Sequence, residues 1–144
     1  MRVAGILSAK GATVATVPPQ TPVAEAAGQL RLRGVGALVV SDDGRAVLGL
    51  VNERDLVRRI AERGAAALGE PVAEVMDTSV LTCTPEDDIE TLARMMTEHR
   101  QRHLPVLVEG RLAGIVSIGD VVKARLEELE DERRHLHDYI TTGR

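Results

Sequence analysis

The chain has 144 residues, 44% of them hydrophobic and 28% charged, with a formal net charge of −4 at pH 7. That length admits one compact domain, or two small units sharing a core, and excludes a multidomain machine. The acidic balance lacks the basic face that non-specific nucleic-acid binding requires, and no run approaches the roughly 18 uninterrupted apolar residues of a membrane span.

The start, Met1 to Ser8, carries one basic residue and too short an apolar run for a secretory signal, so a cytoplasmic protein is expected. Val3-Ala4-Gly5-Ile6-Leu7 forms a lead-in, followed by a β-rich run from Val14 to Val17. Thr21 before Pro22 then marks a helix start, and Val23, Ala26, Ala27 and Leu30 recur at helical spacing. Two β-rich runs, Ala37 to Val40 and Ala46 to Val51, flank the turn Ser41-Asp42-Asp43-Gly44, and a second helix begins at Asn52.

The same order then repeats. The lead-in returns as Val72-Ala73-Glu74-Val75-Met76 at an offset of 69, and the rest follows at 66, becoming 65 after the hairpin. Pro19 falls on Pro85, Leu38 on Leu104, Gly44 on Gly110, Gly49 on Gly114 and Asp55 on Asp120; about three extra residues around Ser8 to Gly11 belong to the first copy. The second copy thus has a β-rich run Val80 to Cys83, a helix start at Asp87, an apolar face of Ile89, Leu92, Met95 and Met96, a hairpin around Glu109-Gly110, and a helix from Ser117. Neither copy of roughly 60 residues buries much core alone, so the two should pack about a pseudo-twofold axis with a cleft between them. Beyond Val121 the last helix continues, with Val122, Leu126, Leu129, Leu136 and Ile140 at alternating three and four spacing, broken only by Arg133. Such a stripe needs an apolar partner, either its own domain or a helix from a second chain, and the second chain is the expected one.

Tyr139 is the only aromatic residue, so aliphatic side chains must grip any planar ligand. Cys83 is the only cysteine, which excludes an internal disulfide and a Cys-based zinc site; between Thr82 and Thr84 it should be a buried, inert thiol. His99 and His103 are four apart, but no third metal ligand follows. Gly34-Val35-Gly36 precedes a strand and has Val39 where a dinucleotide fingerprint needs glycine, so it reads as a turn. Asn52-Glu53-Arg54-Asp55 and Ser117-Ile118-Gly119-Asp120 stand at the two strand-to-helix junctions. There, helix-start N–H groups can seat a phosphate and the aspartate can hold ribose hydroxyls. A plain capping box explains the same spacing equally well.

These segments, with Arg102-His103-Leu104-Pro105-Val106, Gly114-Ile115-Val116 and Gly49-Leu50-Val51, resemble the paired cystathionine β-synthase (CBS) domain family, whose tandem is called a Bateman module. The resemblance covers roughly residues 10 to 124. It implies an α/β (α+β) fold of two pseudo-symmetric βαββα units packed sheet to sheet, with an extended C-terminal helix. In residue terms these are a first unit at 1–65 with the lead-in, a second at 66–125, and a helical extension at 126–144. It also implies a non-enzymatic regulatory or signal-transduction module, dimeric, that binds AMP, another adenine nucleotide, NAD(H) or S-adenosylmethionine and uses no catalytic cofactor. On the family pattern, one cleft sets ribose on Asp120, phosphate on Ser117, Arg102, His103 and Lys10, and adenine against Thr13, Ala15, Val35, Ala37 and Ile115. The opposite cleft uses Asp55, Asn52, Arg54, Leu50, Ser79, Leu81 and Gly36. Asn52 in place of Ser or Thr, and Val39 in place of proline, put the occupancy of that second cleft in doubt. A scaffold with empty clefts and an enzyme using Ser117 or His103 are the rival readings.

Overall fold

The computed structural model describes residues 1–142. A helix, α1 (Val3–Lys10), precedes a three-stranded sheet of β1 (Thr16–Val17), β2 (Ala37–Val40) and β3 (Gly49–Asn52). In it β2 is central, parallel to β1 and antiparallel to β3. Helices α2 (Val23–Arg33) and α3 (Glu53–Arg63) belong to this copy; short 3₁₀ turns at Gly64–Gly69 and Val72–Glu74 lead into the second. That copy has α4 (Ile89–His99), an antiparallel pair β4 (His103–Val108) and β5 (Arg111–Ser117), and the long α5 (Ile118–Thr142).

All four residues of β2 are buried because both faces of the strand are covered. Leu38 and Val40 join Val23, Ala26, Leu30 and Leu56 in the core of the first copy. Ala37 and Val39 face the other way, with Leu50, onto Val80, Leu112 and Ile115 of the second copy. This sheet-to-sheet layer ties the two copies into one body.

The lead-ins are exchanged between copies. Val3 and Ile6 are buried in the core of the second copy with Ile89, Leu92 and Leu104, while Val72 is buried in the core of the first. The backbone bonds are paired in the same way: Val3 and Ala4 donate to the Asp87 and Pro85 carbonyls, each at 2.9 Å, and Val72 and Ala73 donate to Thr21 and Pro19, at 2.8 and 3.0 Å. The division at residue 65 follows chain order, whereas each core takes its lead-in from the other side of that division. The repeated glycines sit under these lead-ins. A Cβ at Gly49 would lie 2.6 Å from Met76 Sδ, and one at Gly114 would lie 2.8 Å from Leu7 Cδ2.

The β-rich run at Val80 to Cys83 does not form a continuous strand. Only Cys83 pairs, in parallel with Val106. In the first copy the Val39 N–H donates to the Ala15 carbonyl at 3.0 Å. The equivalent donor in the second copy would be Pro105, which has no N–H. The Gln101 side chain fills the gap: its Nε2 donates to the Leu81 carbonyl at 2.8 Å and to the His103 carbonyl at 2.9 Å, and its Oε1 accepts the Leu81 N–H at 3.0 Å. Gln101→Ala leaves these backbone groups without partners and is expected to lower unfolding stability by about 1–3 kcal/mol. Urea unfolding of the two proteins measures it; a loss of only a few tenths would mean that water replaces the amide.

Two helix starts differ from the sequence reading by one residue. Asp88, not Asp87, caps α4, accepting the Thr91 N–H at 2.8 Å; Asp87 instead accepts the Thr84 N–H at 2.8 Å in the turn before. Thr21 does not cap α2. That helix starts after Pro22 with no side-chain cap, and the Val23 N–H is taken by the Glu70 carbonyl at 2.8 Å, next to the exchanged lead-in. Strand β3 begins at Gly49 rather than Ala46 because the Asp43 carboxylate accepts the Arg45 and Ala46 N–H groups, which keeps them in the loop. The stripe on α5 is present, but no side chain beyond Ala124 is buried among the described residues.

Candidate functional site

Each strand-to-helix junction is closed by a reciprocal capping box. Asn52 Oδ1 accepts the Asp55 N–H at 2.9 Å while Asp55 Oδ2 accepts the Asn52 N–H at 3.0 Å. At the second junction Ser117 Oγ accepts the Asp120 N–H at 3.1 Å, and Asp120 Oδ2 accepts the Ser117 N–H at 2.9 Å. The local geometry is therefore duplicated. The surroundings are not.

Lys10 Nζ donates to Asp120 Oδ2 at 2.7 Å, reaching from the last turn of α1 to the first turn of α5. Burial of the Asp120 carboxyl opposes ionisation, but the Lys10 ammonium and the Ser117 N–H outweigh it, and its pKa lies below the ordinary carboxylate value. Asp55 has only the exposed Arg58 guanidinium, at 4.0 Å. Burial raises its pKa, the Asn52 N–H and the Arg58 and Arg54 charges only partly offset this, and the neighbouring Asp77 charge adds to the rise. One junction thus presents a carboxylate held by a lysine with its pKa lowered, and the other a carboxyl whose pKa is raised.

His103 stands between the two junctions. It pairs with Ser117 across the β4–β5 ladder, and its ring would be 3.3 Å from a Cβ at Gly36, so glycine there gives the imidazole room. Burial lowers the His103 pKa; the Asp120 charge opposes this, and the Lys10 charge adds to it. The structure therefore brings Lys10, His103, Ser117 and Asp120 together, with Gly36 against the ring. Ala37 and Ile115 share the apolar layer between the sheets. Ala15 packs on the core of the first copy, Thr13 is exposed after α1, and Val35 lines a separate apolar groove between α2 and α3, together with Gly36.

The Asn52 side holds a polar cavity of about 300 Å³. Leu50, Asn52, Ser79 and Leu81 line it, as the resemblance implies, while Asp55 adjoins it through its bond to Asn52 and Arg54 is not among its walls. Arg102 and His103, expected beside Asp120, line this cavity as well. Asp77, His99, Arg100 and Gln101 complete it and were not among the expected site residues. Arg100 has φ 53° at the C-terminal cap of α4, where α2 has Gly34 in the same left-handed region. A cation at a cap position that favours glycine was the available signal for Arg100. By Asp120, a small cavity of about 130 Å³ opens between α1 and α5, bordered by Lys10, Lys123 and Glu127.

The CBS domain family profile matches the chain twice, over residues 12–62 and 72–127. The chain belongs to the CBS domain family. The mitochondrial CBS domain-containing protein CBSX3 of Arabidopsis thaliana is 36% identical over 125 residues, which are 84% of this chain and 61% of that protein. The chain therefore spans about three fifths of that relative. A crystal structure of a CBS-domain containing protein from Agrobacterium tumefaciens superposes with a TM-score of 0.84 at 46% identity, covering 87% of this chain and 99% of that one. A CBS domain protein from Pyrobaculum aerophilum, solved in complex with AMP, superposes with a TM-score of 0.75 at 27% identity, covering 83% and 89% of the two chains. The CBS pair and the α/β architecture are thus established for this chain. No helix among the described residues is long and apolar enough to cross a membrane.

Proposed function

We propose that this CBS pair is a cytoplasmic, dimeric regulatory module that takes an adenine nucleotide between its two copies and passes on occupancy as a change of shape or association. AMP is the favoured ligand, with ADP, ATP and NAD(H) as the other candidates. The observation that carries this reading is the convergence of Lys10, His103, Ser117 and Asp120 from four elements and both copies. The Asp120 carboxylate is ionised and faces a lysine, so ribose hydroxyls can replace the ammonium as its donors. The freed Lys10, whose side chain is 34% exposed, then has the reach to follow the phosphate. The AMP complex of the Pyrobaculum relative supports the ligand class. No catalytic step is needed: a ligand that touches both copies favours the arrangement that closes on it, and its differential affinity shifts the equilibrium.

A second reading sets the nucleotide in the cavity on the Asn52 side. Its volume of about 300 Å³ and its lining by Arg100, Arg102 and two histidines favour an anionic guest. Thermal denaturation with AMP, ADP, ATP, NAD(H) and S-adenosylmethionine tests the function common to both readings. At about a hundred times Kd a true ligand stabilises by about 2.7 kcal/mol, a saturable rise in Tm. Well-folded protein that responds to none of the five would contradict the proposal and favour a constitutive scaffold.

A further inference from the structure

The seam on α5 runs from the module onto the extension without a break. Val122, Leu126, Leu129, Leu136 and Ile140 are 50, 61, 46, 61 and 68% exposed, so none is used by the chain's own fold. Their spacing, with Arg133 included, is a strict seven-residue repeat of alternating steps of four and three, the geometry of a two-stranded coiled coil. An anionic membrane surface is a poor occupant, because Glu130 and Glu132 flank the stripe and Glu127, Glu128 and Asp131 add acidic charge to the rest of the helix. An identical helix is a good one, and the charges beside the seam choose its direction.

In a parallel, in-register pair, Arg125, which within its own chain pairs with Glu90 at 3.2 Å and Glu128 at 2.9 Å, faces the partner's Glu130, and Glu132 faces the partner's His137. Arg133, at the seam itself, lies beside the partner's Glu132. An antiparallel pair would instead set Glu130 against the partner's Glu130 and Glu132 against the partner's Glu132, repelling at the centre of the contact. Within one chain, Arg133 reaches only Glu130, at 3.4 Å with its side chain 80% exposed, so it is free to turn across the seam. We propose that residues 122–140 form a parallel, in-register coiled coil with a second copy of this chain, with Arg133 as the register-setting charge between apolar layers. The pairing stands on the helix alone and does not depend on what the clefts bind.

Cysteine cross-linking of the full chain tests it. The native Cys83 is buried and its thiol is pushed up to about 12 by burial, so it stays silent. An Arg133→Cys variant presents its thiol across the seam from its counterpart and should convert almost wholly to a covalent dimer under mild oxidation at micromolar concentration. An Asp131→Cys variant points its thiol away from the seam and should cross-link at least about tenfold more slowly. Equal rates for the two variants, or no covalent dimer from Arg133→Cys, would overturn the proposal. So would an Arg133→Cys chain that joins a Leu129→Cys chain in preference to itself, since that is the antiparallel arrangement.

Discussion

Gly49→Ala is expected to destabilise the protein by about 2–3 kcal/mol, the upper range for overpacking a tight site. The new methyl would fall 2.6 Å from Met76 Sδ and 2.9 Å from the Asp77 carbonyl oxygen. A methionine can swing away, but the carbonyl cannot. The Asp77 backbone is bonded to Leu50 in both directions, at 2.9 and 3.0 Å, so any retreat breaks the contact that docks the exchanged lead-in on β3. At several degrees of Tm per kcal/mol for a chain of this size, the loss is roughly 8 °C in a calorimetric scan. The repeat-related Gly114→Ala should be milder, about 1 kcal/mol, because the three atoms nearest its new methyl all belong to the Leu7 side chain rather than to backbone. Equal losses at the two positions would mean that the Asp77 backbone yields as readily as a side chain.

Asp120→Ala should remove nucleotide binding at the favoured site. Hydrogen bonds to a charged acceptor are worth about 1.5–3 kcal/mol each, so losing even one ribose contact weakens binding by roughly tenfold to a hundredfold, and losing both by more. The substitution also opens the capping box at the start of α5 and releases Lys10, at a cost to the fold of about 1 kcal/mol. The readout is therefore the ligand-induced rise in Tm, measured against each variant's own ligand-free value. Asp55→Ala opens the matching capping box and is the control. If the response survives in Asp120→Ala and disappears in Asp55→Ala, the nucleotide belongs to the cavity on the Asn52 side.

Much of the fold was legible because it is written twice. The apolar spacing gave both helix faces, the Gly44 and Gly110 turns marked the hairpins, and the stripe after Val121 announced α5. The exchange of lead-ins was not legible, since Val3 and Val72 carry the same signal and nothing local says which copy each will cover. The loss of a strand at Val80 to Cys83 needed two facts at once: Pro105 removes a donor, and Gln101, twenty residues from Leu81, supplies another. In the candidate site, the spacing of Ser117 and Asp120 marked the junction, and Lys10 was placed near it by resemblance. That its ammonium bonds the carboxylate directly, and that Arg102 and His103 border the opposite cavity, depends on how α1 and β4 pack across the two copies.

A crystal structure of the protein grown with saturating AMP tests the central claim most directly. The account expects the ribose hydroxyls on the Asp120 carboxylate, the Lys10 ammonium withdrawn from it toward the phosphate, and adenine between the aliphatic faces of the two sheets. A Lys10–Asp120 contact still closed at 2.7 Å, with the nucleotide bound elsewhere or not at all, would contradict it.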